Sequence, residues 1–328
     1  MSLPKYFQGI SDKALLDSLQ HKLDEVEKRI QTATRHTEEV VDVMSSHLAK
    51  AGGKRLRPAL LLLTAHLGDA SKQDVLDAAV VMEVTHLATL YHDDVMDQAE
   101  TRRGVPAAQK IWGNNLAILT GDLLFARASN IVSNLGERAL KMQAQVFEQL
   151  VLGQLHESIG SSDQDPMQHY LDVIRDKTGS LIALSAQLGA LLSGADDKYQ
   201  EPLQKYGEIM GIAFQLSDDL IDIRSSTEES GKEAGTDILA GVPTLPVILL
   251  ANHSDAASVE LLGRIKNAKP EEIQQVLQAL RAHPVMAEAE EFANQWGDKA
   301  ISAIDSLPAG SVKSALESFA RAMVNRKG

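Results

Sequence analysis

Two copies of one acidic pattern, each closing a largely apolar run, constrain this chain more than any other feature. The copies read Asp93-Asp94-Val95-Met96-Asp97 and Asp218-Asp219-Leu220-Ile221-Asp222. Ahead of the first lies Leu87-Ala88-Thr89-Leu90, and ahead of the second Ile212-Ala213-Phe214-Gln215-Leu216. On a helix the first and last Asp of each copy share one face, one turn apart. Like charges stacked this closely repel. A solvated acidic patch is one resolution of that repulsion. The other is a hard divalent cation between the carboxylates, for which oxygen ligands are suited. Acids that end apolar helices point toward an interior, where ionised groups are costly unless paired or metal-bound. The cation reading therefore leads, and two such clusters would hold several Mg²⁺ ions with coordination sites open to a diphosphate.

The remainder of the chain reads as helices with short breaks. Leu15, Leu16, Leu19, Leu23 and Val26 recur at helical spacing within 11–51, and a run from Arg57-Pro58 closes at Gly68. Ser71 and Asp74 form a candidate capping box for the helix that ends in the first acid cluster. Further helices are predicted over 114–135, 137–159 and 166–193, the last opened by Asp165-Pro166 as N-cap and first helical residue. Another runs from about Asp196 into the second cluster. Residues 225–246 are the one long region of loop chemistry, and Pro270, Pro284 and Pro308 then mark helix starts. No alternation of strand type persists, and no repeat of fixed period is present. The expectation is an all-α chain forming a single domain over 1–328.

Composition narrows the class. The 44% hydrophobic fraction supports a substantial core, while only 4% is aromatic, which suits packing of Ala, Leu, Val and Ile between helices. Net charge is −13, from 32 basic and 45 acidic residues, which argues against nucleic-acid binding. The absence of cysteine excludes disulfides, thiolate zinc sites and Cys nucleophiles. No apolar run is long enough for a transmembrane helix, and the opening Met1-Ser2-Leu3-Pro4 lacks a secretory pattern, so the expected location is cytoplasmic.

Several polar groups stand out around the acids. Gly52-Gly53-Lys54-Arg55-Leu56-Arg57-Pro58 is either a tight turn with surface cations or an anion cradle built from glycine backbone, a helix N-terminus and full positive charges. Arg102-Arg103 supply a second cationic pair, and Arg is suited to bidentate diphosphate contact. His86 stands seven residues before Asp93 and so shares its face; it is core filler or a phosphate contact. Lys177-Thr178 and Gln215 are ordinary helix-surface residues or the lining of a common cavity.

In this order the elements resemble the trans (all-E) polyprenyl diphosphate synthases of the isoprenoid synthase superfamily, over nearly the full length. The carriers are GGKRLRP at 52–58, His86, the run from Asp93 to Arg103, Gly121-Asp122, Lys177-Thr178, Phe214-Gln215, DDLID and the 231–246 loop. The resemblance implies an antiparallel helical bundle around a deep cavity, the isoprenoid synthase fold. It implies a homodimeric enzyme that joins isopentenyl diphosphate to an allylic diphosphate. Asp93, Asp97 and Asp218 would bind three Mg²⁺, supported by Asp94, Asp219 and Asp222. Arg102, Lys177 and Lys232 would contact the allylic diphosphate, and Lys54, Arg57, His86 and Arg103 the isopentenyl one. Thr178 and Gln215 would stabilise the allylic cation. One departure concerns the loop, where Val242 stands in place of the Lys that often precedes Thr-Leu-Pro.

Chain length is expected to be read along the helix before Asp93. Positions four, five and eight upstream are Thr89, Ala88 and Thr85, none of them the bulky aromatic that shortens products in the family. The implied product is geranylgeranyl or longer, unless a neighbouring side chain such as Phe125 or Met142 closes the tunnel. Two alternatives remain: a class I terpene cyclase on the same fold, which usually lacks the basic isopentenyl site and carries a different second metal motif, and one subunit of a heteromeric synthase, which typically loses the acids that are complete here.

Overall fold

The computed structural model describes residues 3–4, 7, 10–161, 165–224, 235–239 and 241–324. In chain order the helices are α1 (Lys13–Thr34), α2 (Glu39–Lys50), α3 (Leu56–Ala65), α4 (Gln73–Met96), α5 (Ala108–Trp112), α6 (Asn114–Val132), α7 (Glu137–Ile159), α8 (Pro166–Ile174), α9 (Ser180–Ser193) and α10 (Gln200–Arg224). They continue as α11 (Thr236–Leu239), α12 (Leu245–Ala251), α13 (Ala256–Lys266), α14 (Ile273–Ala282), α15 (Val285–Ala303) and α16 (Ser311–Val324). Among the described residues the only strands are β1 (Thr101–Arg102) and β2 (Val105–Pro106), an antiparallel pair with Arg102 opposite Val105. Arg103 and Gly104 between them have φ of 54° and 77°, the two positive angles of the turn whose twist matches a hairpin.

The chain divides into two compact units. The first comprises 1–148, 181–207 and 306–318. Its central element is α4, packed by α1, α3, α5 and α6. Val75, Ala79, Met82, Val84, Leu87, Ala88 and Tyr91 of α4 are buried on successive faces, as befits a helix apolar all round. At 24 residues it is about 36 Å long. It ends in the first acid cluster, with Asp97 as its C-cap. Tyr91 anchors it to α2, its hydroxyl donating to the Met44 carbonyl and accepting from the Leu48 amide at 3.3 Å.

The second unit comprises 149–180, 208–305 and 319–328. Its core gathers Leu216, Leu220 and Ile223 of α10, Leu245 and Leu250 of α12, Leu277 of α14 and Ala289 of α15.

The helices fall close to the predicted spans, with instructive differences. The 11–51 run is two helices, separated at 35–38. Helix α6 stops at Val132, short of the predicted 135. The Ser71 capping box does not form: Lys72 is the N-cap of α4, because the Ser71 amide and hydroxyl both donate to Asp69, at 2.9 and 2.6 Å. This is local competition of the kind short polar side chains offer. Asp165 does cap α8, accepting from the Gln168 amide at 3.0 Å. The predicted single helix over 166–193 is instead broken by a π turn at Arg175–Gly179.

Candidate active site

The basic elements of the first unit converge. Arg55 enters α3 from a left-handed conformation, and its side chain is fully enclosed. Its Nε donates to Glu27 at 2.8 Å and its Nη1 to Glu83 at 2.6 Å. Further bonds run to the Gly52 and Ala49 carbonyls, each at 3.2 Å. Glu83, on α4, is also buried, and Arg103 Nη2 approaches the same carboxylate at 3.4 Å. Arg103 Nη1 donates to the carbonyls of Leu48, at 3.1 Å, and Gly52. The glycine turn, the hairpin and α4 are therefore fastened together through two guanidinium groups and one shared carboxylate.

Arg57 and His86 complete this pocket. Arg57 Nε is buried and has no hydrogen-bond partner. Burial, with Arg103 nearby, pushes the Arg57 guanidinium down to about 10, against the opposing pull of Glu83 and Asp93. Burial and the charges of Arg57, Arg103, Arg102 and Arg55 hold His86 well below the usual imidazole range, so it is neutral at pH 7. A buried donor left unpaired costs about 1–3 kcal/mol, more for a charged group. Arg57, partly exposed as a residue, thus presents a cation whose buried Nε an anion would satisfy. Lys54, on the glycine turn, is exposed.

The first acid cluster splits by orientation. Asp94 is fully buried, and Arg102 grips its Oδ1 through Nε and Nη2, both at 2.6 Å. Burial raises the Asp94 carboxyl despite that guanidinium. Asp93 is partly exposed and Asp97 exposed. Upstream, Thr85, Ala88 and Thr89 are all buried on α4. Thr89 Oγ1 donates to the His86 carbonyl at 2.8 Å, whereas Thr85 Oγ1 is buried without a partner. Facing this stretch, α6 places Gly121 and Asp122 around His92, whose Nε2 lies 3.0 Å from the Ile118 carbonyl and 3.3 Å from Asp122. Phe125 packs between His92 and Phe147 in tilted ring contacts, with centroids 5.6 and 4.5 Å away.

The second unit repeats the split. Asp219 is buried while Asp218 and Asp222 are partly exposed. Asp219 accepts from the Tyr170 hydroxyl, from the Leu245 amide at 2.9 Å and from Gln215 Nε2 at 3.2 Å. Asp222 accepts from the Gly235 amide at 3.2 Å. Lys177 and Thr178 lie in the π turn, the kind of single-turn bulge that re-aims side chains at functional sites. Lys177 Nζ pairs with Glu157. Lys232 and much of the 225–246 loop lie outside the described residues. Among those described, no three acidic or histidine side chains converge as a finished metal site.

Sequence reasoning did not find Arg55, Glu27, Glu83 or Tyr170 as parts of this arrangement. Arg55 was visible within the basic knot, but its burial depends on Glu27 and Glu83, both 28 residues away. For Tyr170, seven residues before Lys177, the only available signal was helical spacing.

Comparison with known proteins agrees with this geometry. The family model for polyprenyl synthetase matches residues 38–282. A nonaprenyl diphosphate synthase of Mycobacterium tuberculosis is 43% identical over 309 residues, 92% of each chain. Among solved structures, a polyprenyl synthase from Caulobacter crescentus complexed with calcium and isoprenyl diphosphate has a TM-score of 0.88 at 31% identity, covering 96% of this chain and 97% of that one. A geranylgeranyl pyrophosphate synthase from Corynebacterium glutamicum, also complexed with calcium and isoprenyl diphosphate, has a TM-score of 0.85 at 37% identity, covering 96% and 98%. The chain has the all-α isoprenoid synthase fold, belongs to the polyprenyl synthetase family and is a prenyl-chain-elongating enzyme.

Proposed function

We propose that the enzyme condenses isopentenyl diphosphate head-to-tail with an allylic diphosphate, using Mg²⁺, to give an all-trans polyprenyl diphosphate of geranylgeranyl length or longer. The observation that carries this reading is the buried, unpaired Arg57 Nε in a pocket of arginines around a neutral His86. Such a pocket takes the diphosphate of the isopentenyl substrate, with Lys54 and Arg103 as further contacts. A terpene cyclase has no use for a second anion site of this kind, so the pocket favours elongation over cyclisation.

The donor set of both motifs is carboxylate oxygen, which fits a hard divalent cation. Asp93, Asp97 and Asp218, each more exposed than the buried Asp94 and Asp219, are the acids assigned to three Mg²⁺. Bound Mg²⁺ would neutralise the charge that develops on the departing allylic diphosphate. Lys177 exchanges Glu157 for that diphosphate, and Arg102 reaches it from its place on Asp94; Lys232 is assigned to the same group. Because the Gln215 amide nitrogen is tied to Asp219, its carbonyl oxygen is the end left to face an allylic cation, together with Thr178. Neither group traps the cation as a strong nucleophile would. The released diphosphate takes the proton, so no protein base is assigned.

Small buried Thr85, Ala88 and Thr89 support a long product, as does the nonaprenyl relative. The exposed apolar side chains Leu116, Ile118 and Leu119 of α6 support a homodimer. No described helix is long and apolar enough to cross a membrane. Asp93→Ala and Asp218→Ala test the metal assignment. Each is expected to abolish Mg²⁺-dependent incorporation of labelled isopentenyl diphosphate with the helical circular dichroism intact. Substantial remaining turnover would remove these carboxylates from the site.

A further inference from the structure

Asp218 and Asp219 are neighbours of identical chemistry that face different surroundings. Asp218 is partly exposed and Asp219 is 4% exposed, about 100° apart around α10. A buried carboxylate is costly unless donors surround it, and three elements supply them here. Tyr170 on α8 and the Leu245 amide, at 2.9 Å, both donate to Oδ2, while Gln215 one turn back donates to Oδ1 at 3.2 Å.

Leu245 is the first residue of α12, and its N-cap Thr244 makes no side-chain cap bond. An acid on another helix satisfies one of the amides that a helix start leaves unpaired. Gly235 is fastened to Asp222 in the same manner. The chain that follows α10 is thus tied back to the acid motif at both Gly235 and Leu245.

We propose that Tyr170 is a positioning residue for the second acid motif. By holding Asp219 inward against the start of α12, it sets the rotation of α10 at which Asp218 is presented outward to a divalent cation. The proposal rests on the reading of Asp218 as a metal ligand. In a rigid helix the direction of one side chain fixes that of the next, so a tie on Asp219 acts on Asp218 without touching it. A neutral phenol suits the task, because a Lys or Arg in its place would put positive charge beside the cation site. The Tyr170 ring packs against the core of the second unit, so loss of the hydroxyl alone leaves that packing in place.

The test is Tyr170→Phe in the full chain, with two readouts that need no turnover. Hydrogen exchange at the Leu245 amide is expected to quicken about tenfold as its acceptor loosens. Titration with Mg²⁺ alone by calorimetry is expected to show about three- to tenfold weaker binding. KM for isopentenyl diphosphate, whose pocket does not include Tyr170, is expected to stay within about twofold of wild type. Unchanged exchange overturns the tie, and faster exchange with unchanged Mg²⁺ affinity overturns the positioning role. A wild-type chain that binds no Mg²⁺ removes the metal reading of Asp218 and this proposal with it. A wild-type chain that binds Mg²⁺ but incorporates no isopentenyl diphosphate overturns only the proposed reaction, and the Tyr170→Phe titration still decides the positioning role.

Discussion

Replacing Glu83 by Gln removes the carboxylate that Arg55 and Arg103 share, with little change in shape. Glu83 is 2% exposed, and its Oε1 lies 2.6 Å from Arg55 and 3.4 Å from Arg103. The Gln side chain still offers Arg55 one acceptor, and Arg55 keeps Glu27 at 2.8 Å. Removing one partner of a buried pair costs about 3–5 kcal/mol; the remaining acceptor and Glu27 place this case near 3 kcal/mol. With about 2 °C per kcal/mol for a chain of this size, Tm is expected to fall by about 6 °C. The loss also drives the Arg57 and Arg103 guanidiniums further down, because Glu83 opposes burial at both, aided at Arg57 by Asp93. Added inorganic diphosphate supplies the missing charge, so it is expected to recover more Tm in Glu83→Gln than in wild type. Thermal melts at pH 7.5 with and without diphosphate read both effects. A Tm within about 1 °C of wild type would show that Glu83 is not the counter-ion on which the pocket is built.

Three further substitutions probe the helices around the first acid motif. In Gly121→Ala the added Cβ would meet His92 Nε2 at 2.3 Å and the Ala88 carbonyl at 3.2 Å. The ring must leave Ile118 and Asp122, and a loss of about 1–2 kcal/mol is expected in a thermal melt; an unchanged Tm would show that α6 yields freely. Ala88→Phe is expected to shorten the product, and an unchanged product distribution would show that the growing chain does not pass this residue. His86 stays neutral in the fold where the unfolded chain takes up a proton, so stability is expected to fall as pH drops below about 6.5. His86→Phe should flatten the fall in Tm between pH 7.5 and 5.5, and an equal slope would remove His86 as its source.

Much of the fold was legible because long apolar periods carry it. The predicted 137–159 coincides with α7, and both acid motifs end helices as the apolar runs before them required. The π turn at 175–179 was not legible, since Arg-Asp-Lys-Thr-Gly has no composition that separates a π turn from an α turn. The hairpin at 101–106 is too short to show alternation, though Arg103-Gly104 was its one local sign. Within the site, residue types and spacing singled out the acids and Arg57, but not which carboxylate of each motif turns inward. Asp94 and Asp219 read the same as their neighbours. Only their partners distinguish them: Arg102, eight residues on, for the first, and the more distant Tyr170 and Leu245 for the second. Arg55 likewise reads as a surface cation until Glu27 and Glu83 enclose it.

Product analysis on the purified chain tests the central claim most directly. Labelled isopentenyl diphosphate and Mg²⁺ would be supplied with dimethylallyl, geranyl, farnesyl and geranylgeranyl diphosphates as separate primers. Mg²⁺-dependent elongation to a discrete all-trans product of geranylgeranyl length or longer is the expected result. No incorporation with any primer, or a product that stops at farnesyl, would contradict it.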